Sequence, residues 1–465
     1  MDLFSQRRSG VLLHLTSLPT VGKQGVNRQG GLGEAALKFM DFLTLGGFSV
    51  WQMLPVGPCG YLGSPYQASS SFAGDTRLLD LTELHDFFPP TDSDLAREFA
   101  AFCRREADWL EDYVLFEALH RHFSCAWFDW PPPLRAREPE ALASARQEHQ
   151  AVLSQLRVGQ WLFQRQWQCL HEAARTRGIT LFGDMPLFVA HDSADVWARR
   201  EIFRLDERGH LAVNTGVPPD YFAADGQLWG MPHFNWQALA AENYVWWVAR
   251  LRRQLSLFDI VRIDHFRGLE SAWVVPAGET TARNGRWEPG PGLALFDALK
   301  QQLGSVPLVA EDLGYITPEV DALRLALNMP GMRVLQFAFD SDAANPHLPD
   351  NYHPYSVVYT GTHDNDTTLG WWQSRSDVVK QRCHEYLGDD HPAMPDALCR
   401  LALSSVSRLA VFPMQDLLAL GSEARMNVPG TVSGNWSWQM KESQATPELA
   451  LKWRALNALY GRLPN

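Results

Sequence analysis

Eight short apolar or β-branched runs recur along the chain, most of them followed by a stretch of helical periodicity. They are Gly10–Thr16, Ser49–Leu54, Ile179–Asp184, Phe258–Asp264, Pro307–Glu311, Met332–Phe337, Ser356–Thr360 and Leu409–Met414. Eight strands alternating with helices predict an α/β fold, the (β/α)8 or TIM barrel, in which the sheet closes on itself and helices cover its outer face. Helix punctuation agrees. Gly33–Leu43 is amphipathic, and the long segment Glu138–Arg177 stops at Gly178, a residue suited to the left-handed turn after a helix. Thr317-Pro318-Glu319 and Thr446-Pro447-Glu448 each offer a cap followed by proline at the first helical position, and Gly304 can end the helix Leu293–Leu303.

The spacing of the strands is uneven. A bare barrel needs roughly 250 residues, and this chain has 465. The surplus falls between the second and third strands and between the third and fourth. We therefore expect one catalytic barrel over 1–465 with two insertions: a mostly helical one at about 56–178, and a loop-rich one at about 185–257 that acts as a substrate lid. No Gly/Ser linker marks a second domain.

Composition and charge exclude several function classes. The chain carries 41 basic and 53 acidic residues, a formal charge of −12, with no basic stripe. Neither nucleic acid nor an anionic membrane is an expected partner. No apolar run approaches the ~18 residues of a membrane span, and the N-terminus lacks a secretory signal. Six scattered cysteines without C-x-x-C spacing argue for reduced thiols and a cytoplasmic protein. Gly31-Leu32-Gly33-Glu34-Ala35-Ala36 resembles a dinucleotide fingerprint, but it follows a polar loop and no acid sits ~20 residues on. His384-Glu385 with His391 lacks zincin spacing. The oligomeric state is left open by the sequence.

Barrel chemistry sits at the C-terminal ends of strands. Reading those ends gives Asp184, Asp264, Glu311 and the pair His363-Asp364. One acid at a strand end is usually a cap or a loop partner; four around one mouth suggest a reaction centre. In Val261-Arg262-Ile263-Asp264, side-chain alternation turns Arg262 and Asp264 to the same face and the apolar pair to the other. An arginine there keeps a carboxylate ionised, which suits a nucleophile, although a structural ion pair has the same pattern. Glu311 follows Pro307-Leu308-Val309-Ala310, and apolar surroundings raise a carboxyl pKa, as a general acid requires. Two carboxylates in opposed environments are the logic of glycoside chemistry. Asp364 is placed to hold hydroxyls and stabilise developing charge, and His265 and His363 to donate to hydroxyls. Asp312 should point away from the mouth.

Aromatic residues are abundant, with 18 Trp, 24 Phe and 11 Tyr. Sugars present apolar C–H faces and polar edges, so their pockets mix aromatic platforms with amides and carboxylates. Two loops have that composition: Gly57–Gln67, with Tyr61 and Tyr66, and Val217–Gly230, with Tyr221, Gln227 and Trp229. The second has glycines for bending and prolines that stiffen one flank, and we expect a mobile lid.

These motifs resemble glycoside hydrolase family 77, the 4-α-glucanotransferases (amylomaltases or disproportionating enzymes) of the α-amylase superfamily. The likeness runs nearly end to end. It takes in Ser9–Pro19, Trp51–Pro55, Ser64–Gln67, His191–Trp197, Pro219–Gly230, Val261–Gly268, Ala310–Gly314, Gly361–Asn365, Pro413–Asp416 and Gly434–Trp438. The resemblance implies Asp264 as nucleophile, Glu311 as acid/base and Asp364 as transition-state stabiliser. It implies that Arg262, His265, His363 and Asp184 line the subsite of the transferred sugar, and that Tyr66, Tyr221, Gln227, Trp229 and Asn435 bind nearby glucose units. Tyr61 falls where relatives make a second, surface glucan contact. No metal and no cofactor are implied. The partners are a maltodextrin or other α-1,4-glucan as donor and as acceptor. Ala223-Ala224-Asp225-Gly226, Gly230-Met231-Pro232 and Cys59 depart from the commoner family pattern, around the lid and not the chemistry. The expected reaction is a retaining double displacement through a glucosyl-Asp intermediate. An α-1,4-glucan hydrolase with the same carboxylates is the alternative, and a non-catalytic glucan-binding protein a third reading.

Overall fold

The computed structural model describes residues 4–19, 31–60, 63–80, 89–91, 93–219 and 223–464. Its centre is a parallel eight-stranded sheet. In chain order the strands are β1 (Arg8–Leu12), β2 (Val50–Gln52), β3 (Thr180–Met185), β4 (Ile260–Ile263), β5 (Leu308–Ala310), β6 (Gly331–Val334), β7 (Ser356–Tyr359) and β8 (Leu409–Pro413). Neighbours in sequence pair from β1 to β5 and from β6 to β8, and β8 returns to β1 with Arg8 opposite Leu409. The remaining seam, between β5 and β6, is bridged where the Ala310 N–H donates to the Pro330 carbonyl at 2.9 Å. All eight predicted strands are present and the barrel is nearly closed. The run expected at Met332–Phe337 is strand only to Val334; Leu335–Phe337 winds into a 3-10 turn.

Strand alternation sorts the apolar residues into two separate cores. Leu12, Val50, Phe182, Ile260, Val309, Met332, Val334, Val357, Tyr359, Leu409 and Val411 fill the barrel. Val11, Trp51, Leu181, Val261, Ile263, Val358, Ala410 and Phe412 point outward into the layer of helices. Each strand therefore buries both faces, as parallel strands must.

Helix boundaries follow the predicted punctuation. The Thr446 hydroxyl accepts from the Leu449 N–H at the start of the helix Pro447–Leu459. Gly178 and Gly304 turn the chain with φ of 68° and 75°. The segment Glu138–Arg177 is two helices, Pro139–Glu148 and Gln150–Thr176, because His149 (φ −97°, ψ 15°) redirects the chain between them. The apparent dinucleotide fingerprint opens the helix Glu34–Gly46, and a Cβ on Gly33 would lie 2.1 Å from the Asp80 carboxylate, so close packing accounts for that glycine.

Between β2 and β3 lie the helices Ser93–Arg105, Ala107–Phe123, Pro139–Glu148 and Gln150–Thr176, with a short turn of helix at Pro132–Arg135. The motif His191–Trp197 ties them to the barrel. Asp192 accepts from the Trp127 N–H at 3.1 Å and lies 2.8 Å from His120 Nε2, while the buried Trp197 donates to the Leu134 carbonyl.

The region expected to be loop-rich contains regular structure. Val213–Val217 and Gln227–Pro232 form a hairpin, and with Ser271–Pro276 and Arg286–Pro289 they build a second, four-stranded antiparallel sheet. Gly216 makes the pairing possible: a Cβ there would sit 1.9 Å from the Gln227 carbonyl oxygen. Turn residues near the hairpin tip hid this pattern, since glycine and proline read as loop.

At the barrel's other end, the buried Arg462 fans its guanidinium over the carbonyls of Arg8, Ala402, Leu403, Ser405 and Ser407 at 2.8–3.3 Å. All six cysteines are unpaired. Among the described residues no helix is long and apolar enough to cross a membrane.

Candidate active site

The side chains at the C-terminal ends of β3, β4 and β5 form one network. Arg262 is buried and holds two acids at once. Its Nη1 lies 2.7 and 2.8 Å from the two oxygens of Asp184, and its Nη2 lies 2.8 Å from Asp264 Oδ1. Its Nε reaches Met332 Sδ at 3.4 Å, so the guanidinium is fixed across the barrel. Asp184, only 1 % exposed, also accepts from the Tyr66 hydroxyl at 2.6 Å. Burial pushes the Asp184 pKa up, and Arg262 opposes that rise. Asp264 remains partly exposed.

Glu311 is held differently. Its Oε2 accepts from the His265 N–H at 2.7 Å and its Oε1 from the Leu313 N–H at 2.9 Å. The carboxyl is thereby fastened to the residue after Asp264. The chain turns there because His265 adopts a left-handed conformation, φ 50°. Desolvation pushes the Glu311 pKa up to about 8, against the pull of Arg262 and the two N–H donors and with the help of the Asp264 charge. Asp264 is ion-paired with Arg262, whereas the Glu311 carboxyl is buried and its pKa raised to about 8.

Asp364 stands across the mouth after β7. Asn427 Nδ2 donates to its Oδ1 at 2.6 Å, Arg425 donates to its backbone carbonyl at 2.7 Å, and His363 Nε2 lies 3.4 Å from Oδ1. His363 stacks on Tyr66 with ring centroids 5.2 Å apart, and Trp436 closes the cluster at 5.9 Å from Tyr66 and 6.0 Å from His363. On the opposite flank the ring of Trp229 meets His265 edge-on at 4.8 Å, and its indole N–H reaches Gln227 Oε1 at 3.2 Å. Burial pushes the His265 pKa down to about 4, and its Nε2 is buried without a hydrogen-bond partner. A neutral imidazole with a free nitrogen is equipped to meet a ligand hydroxyl.

The structure thus brings together Asp184, Arg262, Asp264, His265, Glu311, His363, Asp364, Tyr66, Gln227 and Trp229. Tyr61 and Tyr221 lie outside the described residues. Asn435 uses its side chain on its own loop, accepting from the Val428 N–H at 3.0 Å and donating to the Thr431 carbonyl and hydroxyl at 3.1 and 3.0 Å. Asp312 faces away, accepting from the Met332 N–H at 2.6 Å and pairing with Arg324 and Arg333. Sequence reasoning missed Asn427 and Arg425. They come from a loop beyond β8 with no strand-end signature, and only the fold sets them beside Asp364.

The family model described as 4-alpha-glucanotransferase matches residues 13–96 and 84–445. A 4-alpha-glucanotransferase of Synechocystis is 46 % identical over 504 residues, covering 99 % of this chain and 99 % of its own. The enzyme of that description from Thermus thermophilus is also 46 % identical, covering 98 % and 99 %. Among solved structures, amylomaltase from Streptococcus agalactiae in complex with acarbose superposes with a TM-score of 0.93 at 33 % identity, covering 99 % of this chain and all of that one.

Proposed function

This chain belongs to the 4-alpha-glucanotransferase family, glycoside hydrolase family 77, and on that footing we propose that Asp264, Glu311 and Asp364 drive a retaining transfer through a covalent glucosyl-enzyme. The activity itself, 4-α-glucanotransfer on α-1,4-glucans, comes with the family. The observation that carries the mechanism is the contrast between a carboxylate paired with Arg262 and a carboxyl whose pKa is pushed up to about 8 on the neighbouring strand.

In the first step Glu311 gives its proton to the glycosidic oxygen while Asp264 attacks the anomeric carbon. The reducing-end fragment leaves as an alcohol and the donor glucan stays as an ester on Asp264. In the second step the ionised Glu311 removes the proton from the 4-hydroxyl of an acceptor glucan, which displaces Asp264 and restores the α-linkage. Asp364, held by Asn427, faces the oxocarbenium-like charge from across the mouth. Arg262 binds Asp184 with one nitrogen and Asp264 with another, which aims the nucleophile. The free Nε2 of His265 and the imidazole of His363 meet sugar hydroxyls, and Tyr66 and Trp229 cover the ring faces. Bond energy is conserved, so no cofactor enters the balance.

We read the whole chain as one catalytic barrel whose insertion at about 185–257 closes over the sugar. Water competes with the acceptor for the intermediate, and the hairpin with Trp229 on one side and Trp436 on the other are the means of excluding it. Asp225 ties the hairpin tip to the second sheet, accepting from Arg283 Nε at 2.7 Å and, through its carbonyl, from the Ala282 N–H at 2.9 Å. Incubation with maltotriose tests this reading. A ladder of longer maltodextrins plus glucose, without net gain in reducing ends, is expected; a steady gain in reducing ends would make the chain a hydrolase.

A further inference from the structure

We propose that Tyr315 and Trp287 form an additional glucan-binding shelf on the rim over β4 and β5, engaged by the acceptor-side part of a long chain. Tyr315 is 68 % exposed, the most exposed aromatic side chain among the described residues. It is not loose. Its ring lies nearly parallel to that of Trp287, 21° between planes and 6.4 Å between centroids. On Trp287 the guanidinium of Arg267 is stacked at 3.7 Å from the ring centre, and Arg267 also donates to the Tyr315 carbonyl. Trp273 supports Trp287 edge-on at 5.2 Å. The result is a platform of two aromatic rings, braced from behind and open to solvent, an arrangement with no role in packing the barrel.

Its place in the chain gives its role. Arg267 lies three residues after Asp264 and Tyr315 four after Glu311, so both ends of the brace grow from the loops that carry the reacting carboxyls. The acid/base of a retaining enzyme sits on the leaving-group side, where the acceptor later enters. The aromatic cluster Tyr66, His363 and Trp436 occupies the opposite rim with Asp364. Tyr315, on the loop that follows Glu311, offers an exposed ring on that side, and the apolar face of a glucose unit suits such a ring. This inference rests on the assignment of Glu311 as acid.

The test compares substrates of different length. For Tyr315→Ala, the ratio of kcat/KM on a long maltodextrin to that on maltotriose should fall about fivefold, carried by KM, as loss of one stacked ring implies. Tyr315→Phe should restore the ratio, which a merely structural role of the hydroxyl would not allow. In an Asp264→Asn background, where turnover cannot intervene, long maltodextrin should quench Trp287 fluorescence, and Trp287→Phe should remove that part of the signal. An unaltered length ratio in Tyr315→Ala, or a quench that survives Trp287→Phe intact, would overturn the shelf. Loss of all transfer in Glu311→Gln is read separately and decides the assignment of the acid.

Discussion

On β2, β3, β4, β5 and β7 the lower and upper storeys of the barrel interior are written by the same alternation, yet they follow opposite rules. Below, Val50, Phe182, Ile260, Val309 and Val357 interlock without a polar atom. Two residues further along those strands stand Gln52, Asp184, Arg262, Glu311 and Tyr359, joined by ion pairs and by hydrogen bonds such as Tyr359 to Gln52 at 2.9 Å. One pleat separates a region built for stability from one built for reaction. The upper storey holds a carboxyl at a pKa about 8, which is unfavourable for folding at neutral pH.

Substitutions can break or sharpen that division. The largest effect falls on the upper storey: Asp264→Asn or Glu311→Gln should cut transfer by about four orders of magnitude or more, as loss of a nucleophile or its partner does. Circular dichroism should show the fold retained. Arg262→Met comes next. It leaves Asp184 and Asp264 without their shared cation and should cost about 3–5 kcal/mol in denaturant unfolding, along with activity. In the lower storey Leu409→Ala should cost about 3 kcal/mol through the cavity left behind, with turnover per folded molecule nearly unaltered. A specific loss of transfer there would show that the storeys are not separable.

Smaller effects sharpen the picture. Asn427→Ala removes one donor from Asp364 and should lower kcat by about tenfold, the worth of one charge-assisted hydrogen bond. The proton on Glu311 sets an alkaline limit. Below about pH 8 the acid is protonated and donates; above it the proton is lost, and glucosyl-enzyme formation should decline through that range in pre-steady-state measurements. Because the unfolded carboxyl releases its proton near pH 4.5, folding is opposed progressively between pH 4.5 and 8. Glu311→Gln should therefore raise the melting temperature at pH 7 by about 2 °C while abolishing activity, and should not raise it at pH 4.

How much of this was legible in the sequence follows from chain distance. The strands, and the acids at their ends, are local patterns: an apolar run, a period of two, a carboxyl at the last position. Arg262 and Asp264 could be set on one face from alternation alone. Asp364's partners Asn427 and Arg425 lie about sixty residues away in a segment without periodicity, so no local rule reaches them. Val217–Gly230 reads as loop because the hairpin's pairing depends on Gly216 and on strands beyond β4. Trp51 and Trp197, which sit in shared motifs, are buried braces whose indole N–H groups donate to the Leu13 and Leu134 carbonyls. Trp246 and Trp247 are buried as well. Aromatic content pointed to sugar only where it lay beside the carboxyls.

The Arg462 guanidinium gives the molecule a calendar. It gathers carbonyls from the start of β1 and from the segment leading into β8, Arg8 and Ser407 at the extremes. During synthesis β1 keeps one edge bare until β8, about four hundred residues later, has been made, and the latch across that seam follows β8. Asp264, Glu311 and Asp364 have all been made by then, but the ring that sets their mutual positions is sealed only after them. A chain without the Arg462 guanidinium would carry Asp264, Glu311 and Asp364 in an unlatched frame.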